Sequence, residues 1–150
     1  KRGPVKRLAF LITPFLLLPS YSLAESFGDF QGAIYVGNYD GDTVTFNLPG
    51  LHPIIGEKIS IRVNGIDTPE IRGKCEKEKY DAKQAKEVAA DILKDAEQII
   101  LKNMERGKYF RIAADVIVDG ENLADVVIEA GVAVRYDGGK KTHKWCGEEK

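Results

Sequence analysis

The chain has 150 residues, 43% of them apolar and 30% charged, which is the make-up of one folded domain and excludes disordered and collagen-like chains. Its 22 basic and 23 acidic residues leave a net charge of −1, which argues against coating nucleic acid by bulk charge but leaves room for a few local cations that grip a phosphate. Two cysteines are too few for a disulfide scaffold or a four-cysteine zinc site.

Residues 1–24 contain four basic residues (Lys1, Arg2, Lys6, Arg7) and no acid. An uncharged run rich in Leu, Ile and Phe follows at 8–19, and then Ser22-Leu23-Ala24 puts small residues at −3 and −1 of a cleavage point. This pattern predicts a signal peptide over 1–24 and a mature domain over 25–150, exported to the periplasm or secreted. The apolar run is short for a membrane span and Pro14 interrupts it, so no membrane anchor is expected after cleavage. In an oxidising compartment Cys75 and Cys146 are expected to pair and close a long loop.

In the mature part, residues 31–38 and 43–48 read as strands joined across the turn Tyr39-Asp40-Gly41-Asp42. Pro49, Gly50, Pro53 and Gly56 mark a loop. Over 58–66, Ile59, Ile61 and Val63 alternate with Ser60, Arg62 and Asn64, a half-buried strand with a cation on its polar face. A helix is predicted over about 76–96, where Ala82, Ala85, Val88, Ala89, Ile92, Leu93 and Ala96 form one apolar stripe. Strands follow at 99–104 and 108–118 around Arg106-Gly107. Asn122 caps a short helix with Leu123, Val126, Val127 and Ala130 inward, Gly131 stops it, and 132–135 adds a last strand. The order of elements suits an α+β fold, a small closed barrel with attached helices.

Four features carry possible chemistry. Asp40-Gly41-Asp42-Thr43 is not an EF-hand loop, because Thr45 and Leu51 stand where that loop needs Gly and Glu, and alone it reads as a hairpin turn. Asp67-Thr68-Pro69-Glu70 alone reads as a helix start. Arg62 alone reads as a surface cation, and Lys108-Tyr109-Phe110-Arg111 as charge protecting an edge strand. His52 and His143 read as surface or structural, and Trp145 as an anchor for the tail.

Taken together, the four features resemble the staphylococcal nuclease (thermonuclease) family. The resemblance runs through D-G-D-T at 40–43, I-R-V-N-G-I-D-T-P-E at 61–70, K-Y-x-R at 108–111 and E-A-G-V-A-V at 129–134. It implies a five-stranded barrel of the oligonucleotide-binding type with two or three helices. It also implies a calcium-dependent phosphodiesterase that cuts DNA and RNA with little sequence preference and leaves 3′-phosphate ends. On that resemblance Asp42, Asp67 and the carbonyl of Thr68 would bind Ca²⁺. Glu70 would be the general base, and Arg62 and Arg111 would grip the scissile phosphate. Lys108, Tyr109 and Tyr136 would contact the nucleic acid. No stable protein partner is implied, and a monomer is expected. Phe110 stands where the family usually has Gly, the loop at 48–57 is longer, and Trp145-Cys146 with the disulfide would stand in for a further C-terminal helix. Two rival readings are a binding module on the same barrel and a structural calcium protein of the cell envelope. The first would not require Glu70, and the second would not require the two arginines.

Overall fold

Glycine placement decides how the N-terminal strands are used. The computed structural model describes residues 26–107 and 111–147. The leader expected at 1–24 lies outside the described residues, as do Lys108 and Tyr109. The segment predicted as one strand over 31–38 is two strands, β1 (Phe30–Gln31) and β2 (Ile34–Asn38), separated at Gly32, whose φ is +76°. A side chain rarely adopts that angle. β1 pairs with β6 (Ile99–Arg106), while β2 pairs with β3 (Thr43–Asn47). Completed by β4 (Ile59–Val63) and β7 (Ile112–Val118), the sheet runs β1-β6-β7-β4-β3-β2. Its two edges are thus consecutive pieces of one segment, and the N–H groups of Gly32 and Ala33 both donate to the Ile99 carbonyl at 3.1 Å. The sheet curls until its ends meet, and with β1 and β2 counted as one strand it is the five-stranded oligonucleotide-binding-type barrel of an α+β fold. All its pairings are antiparallel except β4 with β7.

The alternation in β3, β4 and β7 turns Val44, Phe46, Ile61, Val63, Ala114 and Val116 inward, each at most 1% exposed. Two helices cover this interior. In α2 (Glu76–Lys94) the stripe Ala82, Ala85, Ala89 and Leu93 is buried, and its small residues bring the helix backbone close to the sheet. In α3 (Leu123–Glu129) Leu123, Ala124 and Val127 are buried, and the Asn122 side chain caps the helix by accepting from the Ala124 N–H at 2.9 Å. Truncating Phe46 to Ala would cost about 3–5 kcal/mol.

Three boundaries differ from expectation. The strand predicted over 58–66 ends at Val63, because Gly65 at φ +81° turns the chain. Ile66–Asp67 is a separate strand, β5, which pairs with β9 (Val134–Arg135) outside the barrel. The last predicted strand therefore joins β5 and not the main sheet. Inside the loop at 48–57, Pro53–Gly56 forms one helical turn, α1, with the His52 ring accepting from the Ile54 N–H at 3.3 Å. The short strand β8 (Glu121–Asn122) extends β7. Cys75, the N-cap of α2, is bonded to Cys146 across 71 residues, so the C-terminal tail is fastened beside the start of that helix. No helix among the described residues is long and apolar enough to cross a membrane.

Candidate active site

The turn between β2 and β3 is organised by Asp40, whose Oδ1 accepts from the N–H groups of Asp42 at 3.1 Å and Thr43 at 2.8 Å. Gly41 has no room for a side chain, since a Cβ there would lie 2.8 Å from the Ala85 Cβ and 2.9 Å from the Thr68 Cγ2. The turn is thereby pressed between α2 and the 67–70 segment, and Asp42 is driven inward to 2% exposure. Its Oδ2 accepts from the Thr68 N–H at 3.2 Å and the Thr68 hydroxyl at 3.1 Å, and its Oδ1 from the Thr43 hydroxyl at 3.1 Å. Its carboxylate also pairs with Arg62.

Arg62 lies opposite Thr43 across the β3–β4 ladder, on the polar face that the alternation predicts. Its guanidinium donates to the Ile66 carbonyl at 3.1 Å and lies 3.8 Å from Asp67 Oδ1. Burial lowers the Arg62 pKa against the opposing pull of Asp40, Asp67 and Glu70, with Arg111 lowering it further. Burial likewise raises the Asp40 pKa, opposed by hydrogen bonds from Thr43 and by the charges of Arg62 and Arg111.

Asp67 is also 2% exposed. The Trp145 indole N–H donates to its Oδ2 across a long 3.4 Å, and the Lys141 Nζ stands 2.7 Å from its Oδ1. The same ammonium lies 2.7 Å from Oε1 of Glu70, which is exposed on the rim. Burial works to lower the Lys141 pKa, but the charge of Asp67 and the hydrogen bond and charge of Glu70 outweigh it and raise the value. Two cations, Arg62 and Lys141, thus face three carboxylates, Asp42, Asp67 and Glu70.

A groove of about 850 Å³ opens over this cluster, lined among others by Arg62, Glu70, Arg111, Tyr136 and Lys141. Arg111 stands exposed just before β7. Tyr136 is held at the groove by its N–H to the Gly65 carbonyl at 3.0 Å and by its hydroxyl to the Gly139 carbonyl at 2.7 Å. The fold therefore brings together Asp42, Arg62, Asp67, Thr68 and Glu70, with Arg111 and Tyr136 on the groove wall; Lys108 and Tyr109 are outside the described residues.

The carboxylates of Asp42 and Asp67 are hard oxygen donors suited to a calcium ion. Asp67 Oδ1 is buried and accepts no well-angled hydrogen bond, although two cations face it. Such an oxygen has lone-pair capacity left for a metal. A second metal-capable group, Cys75, Glu78 and Cys146, lies together, but its sulfurs are joined to each other.

Asp40 shapes the turn in which the sequence placed it. One acid and a lysine went unread in the sequence. Glu78, 8% exposed, accepts from the Lys74 N–H at 2.8 Å and the Glu70 N–H at 3.4 Å and so holds the loop that carries Glu70. Lys141 meets Glu70 across 71 residues, and no local pattern signals that contact.

Residues 60–146, more than half of the chain, match the family model described as staphylococcal nuclease homologue. The matched stretch includes Arg62, Asp67, Thr68, Glu70 and Arg111 and begins after Asp42. No curated protein matches the chain.

Proposed function

The chain belongs to the staphylococcal nuclease homologue family, and from that premise we propose a calcium-dependent nuclease that hydrolyses the phosphodiester bonds of DNA and RNA with little sequence preference. It works outside the cytoplasm as a monomer and leaves 3′-phosphate ends. The observation that carries this reading is that two buried carboxylates, Asp42 and Asp67, stand against a half-buried arginine, Arg62, which lines a groove together with the exposed Glu70 and a second arginine.

In this mechanism Asp42, Asp67 and the Thr68 carbonyl would hold a calcium ion. The ion supplies positive charge that neutralises and orients the phosphate. Glu70, the carboxylate open to the groove, removes a proton from the attacking water as the water's oxygen bonds to phosphorus. The P–O5′ bond breaks, the departing 5′ oxygen takes a proton from solvent water, and the phosphate stays on the 3′ oxygen of the upstream fragment. Arg62 and Arg111 present planar pairs of donors to the equatorial oxygens, where negative charge grows in the five-coordinate transition state. The ion pair with Asp42 fixes the Arg62 fork in advance of substrate. Lys141 must leave Glu70 for that carboxylate to act as a base, because its ammonium now holds the proton-accepting oxygen.

The test is purified mature protein incubated with plasmid DNA and with RNA, in calcium, in magnesium and in chelator. Cleavage of both nucleic acids in calcium alone is expected, since Mg²⁺ demands tighter octahedral geometry and keeps its waters. Equal rates in chelator overturn the calcium assignment, and no cleavage under any condition overturns the nuclease reading.

A further inference from the structure

The groove does not end at Glu70. Glu70 and Lys141 also line a second cleft of about 770 Å³, so they form the saddle between the two. One wall of the second cleft is the loop at 72–74 that leads into α2, and the other is the tail at 141–147. Arg72, Lys74 and Lys144 line it, and Trp145 belongs to the tail wall.

The charges of this cleft lean positive, with Arg72, Lys74, Lys141 and Lys144 against Asp67, Glu70 and Glu78. Lys141 is held between Asp67 and Glu70, and the buried Glu78 accepts backbone N–H groups. Arg72, Lys74 and Lys144 form no ion pair among the described residues. These three cations line a cleft that contains an aromatic ring, the combination that holds single strands by phosphate contact and base stacking. The walls are also fastened to each other. Cys75 follows Lys74, Cys146 follows Trp145, and their disulfide sets the two Cα atoms 5.9 Å apart. A cleft fixed in this way loses little freedom when a ligand enters.

We propose that the second cleft is a phosphate-binding subsite for a nucleic-acid strand whose scissile bond lies at the Arg62–Glu70 end of the first groove. The inference rests on the nuclease reading and extends it: the enzyme is a reader of strand length, and a substrate that crosses the saddle is held at both ends. Arg72, Lys74 and Lys144 contact phosphates beyond the cleavage point. Trp145 lies beside the path of the bases.

Trp145 is the only tryptophan in the chain, so its fluorescence reports this cleft. In chelator, where cleavage is blocked, thymidine oligonucleotides of two and of eight nucleotides are titrated against wild-type protein and against the Lys74→Gln/Lys144→Gln double variant, with Arg72→Gln as a second variant. Folding of each is checked by its thermal melt. The octamer is expected to quench Trp145 and to bind at least tenfold tighter than the dimer. The double variant is expected to flatten the slope of log affinity against log salt for the octamer by about 1.4, the share of two single-strand phosphate contacts. In calcium, its KM for the octamer is expected to rise at least tenfold more than its KM for the dimer. Equal affinity for dimer and octamer, or an unchanged salt slope in folded variants, overturns the subsite. Octamer binding with these signatures but no cleavage supports the subsite and overturns the nuclease reading instead.

Discussion

Replacing Cys75 and Cys146 together by serine opens a loop that spans 71 residues. The bond lowers the entropy of the unfolded chain by a fixed part plus a part that grows with the logarithm of loop length. For this loop the two amount to about 15 cal/mol/K, or about 4.4 kcal/mol at room temperature. Unfolding entropy near the melting point is about 2.1 cal/mol/K per residue, hence about 250 cal/mol/K for the roughly 120 described residues. The ratio predicts a fall in Tm on the order of 15 °C. Scanning calorimetry of the oxidised wild type and the double serine variant, both without reductant, measures it. A fall of less than about 3 °C would refute the view that this bond acts by restraining the unfolded chain. The variant also frees the tail that carries Lys141 and Lys144, so the octamer should lose more affinity than the dimer.

Glu70→Gln is expected to keep calcium affinity and lose about 10²–10⁴ in rate; parallel loss of both, seen by calorimetry beside kinetics, would make Glu70 a metal ligand. Arg62→Lys and Arg111→Lys should each slow cleavage in steady-state kinetics, because lysine cannot offer two parallel donors to one phosphate. Lys141→Met removes the ammonium that faces Asp67 and should tighten calcium binding in calorimetry; weaker binding would contradict competition at that carboxylate. The Lys141 pKa is raised on folding from 10.5, so its contribution to stability is fully present below that value and lost as pH rises through the folded one. The difference in urea midpoint between wild type and Lys141→Met should therefore be widest near neutrality and close at strongly alkaline pH.

Local signals in the sequence were enough for much of the fold. The stripe in α2, the Asn122 cap and the alternation in β4 each depend on neighbours within a few residues, and the structure keeps them. The D-G-D-T and D-T-P-E segments were legible through residue type and resemblance, and the fold sets Asp42 against Thr68. What escaped is set by distant contacts. Gly65 and the out-of-phase Ile66 mark locally that β4 stops, but nothing local says that Ile66–Asp67 pairs with β9 outside the barrel. The partition of 30–38 between β6 and β3 depends on which strands lie on each side. Lys141 sits in a tail without periodicity, and distant contacts, the disulfide and the β5–β9 pair among them, bring it to Glu70.

The stitching of the chain before Gly32 sets a limit on maturation. The Phe27 N–H donates to the Met104 carbonyl, the Met104 N–H to Gly28, and the Asn103 N–H to the Asp29 side chain, ahead of the β1–β6 pairing itself. This stretch works as a zip along β6, and among the described residues its first tooth is Phe27. A cut that removed the expected leader would have to fall before that residue. A cut a few positions later would strip one side of β6 and leave a row of unpaired N–H and C=O groups, a template for pairing with another chain. The leader boundary expected before Glu25 stops two residues short of the zip. Keeping residues 27–31 attached and resisting aggregation are thus one constraint, written into the same few residues.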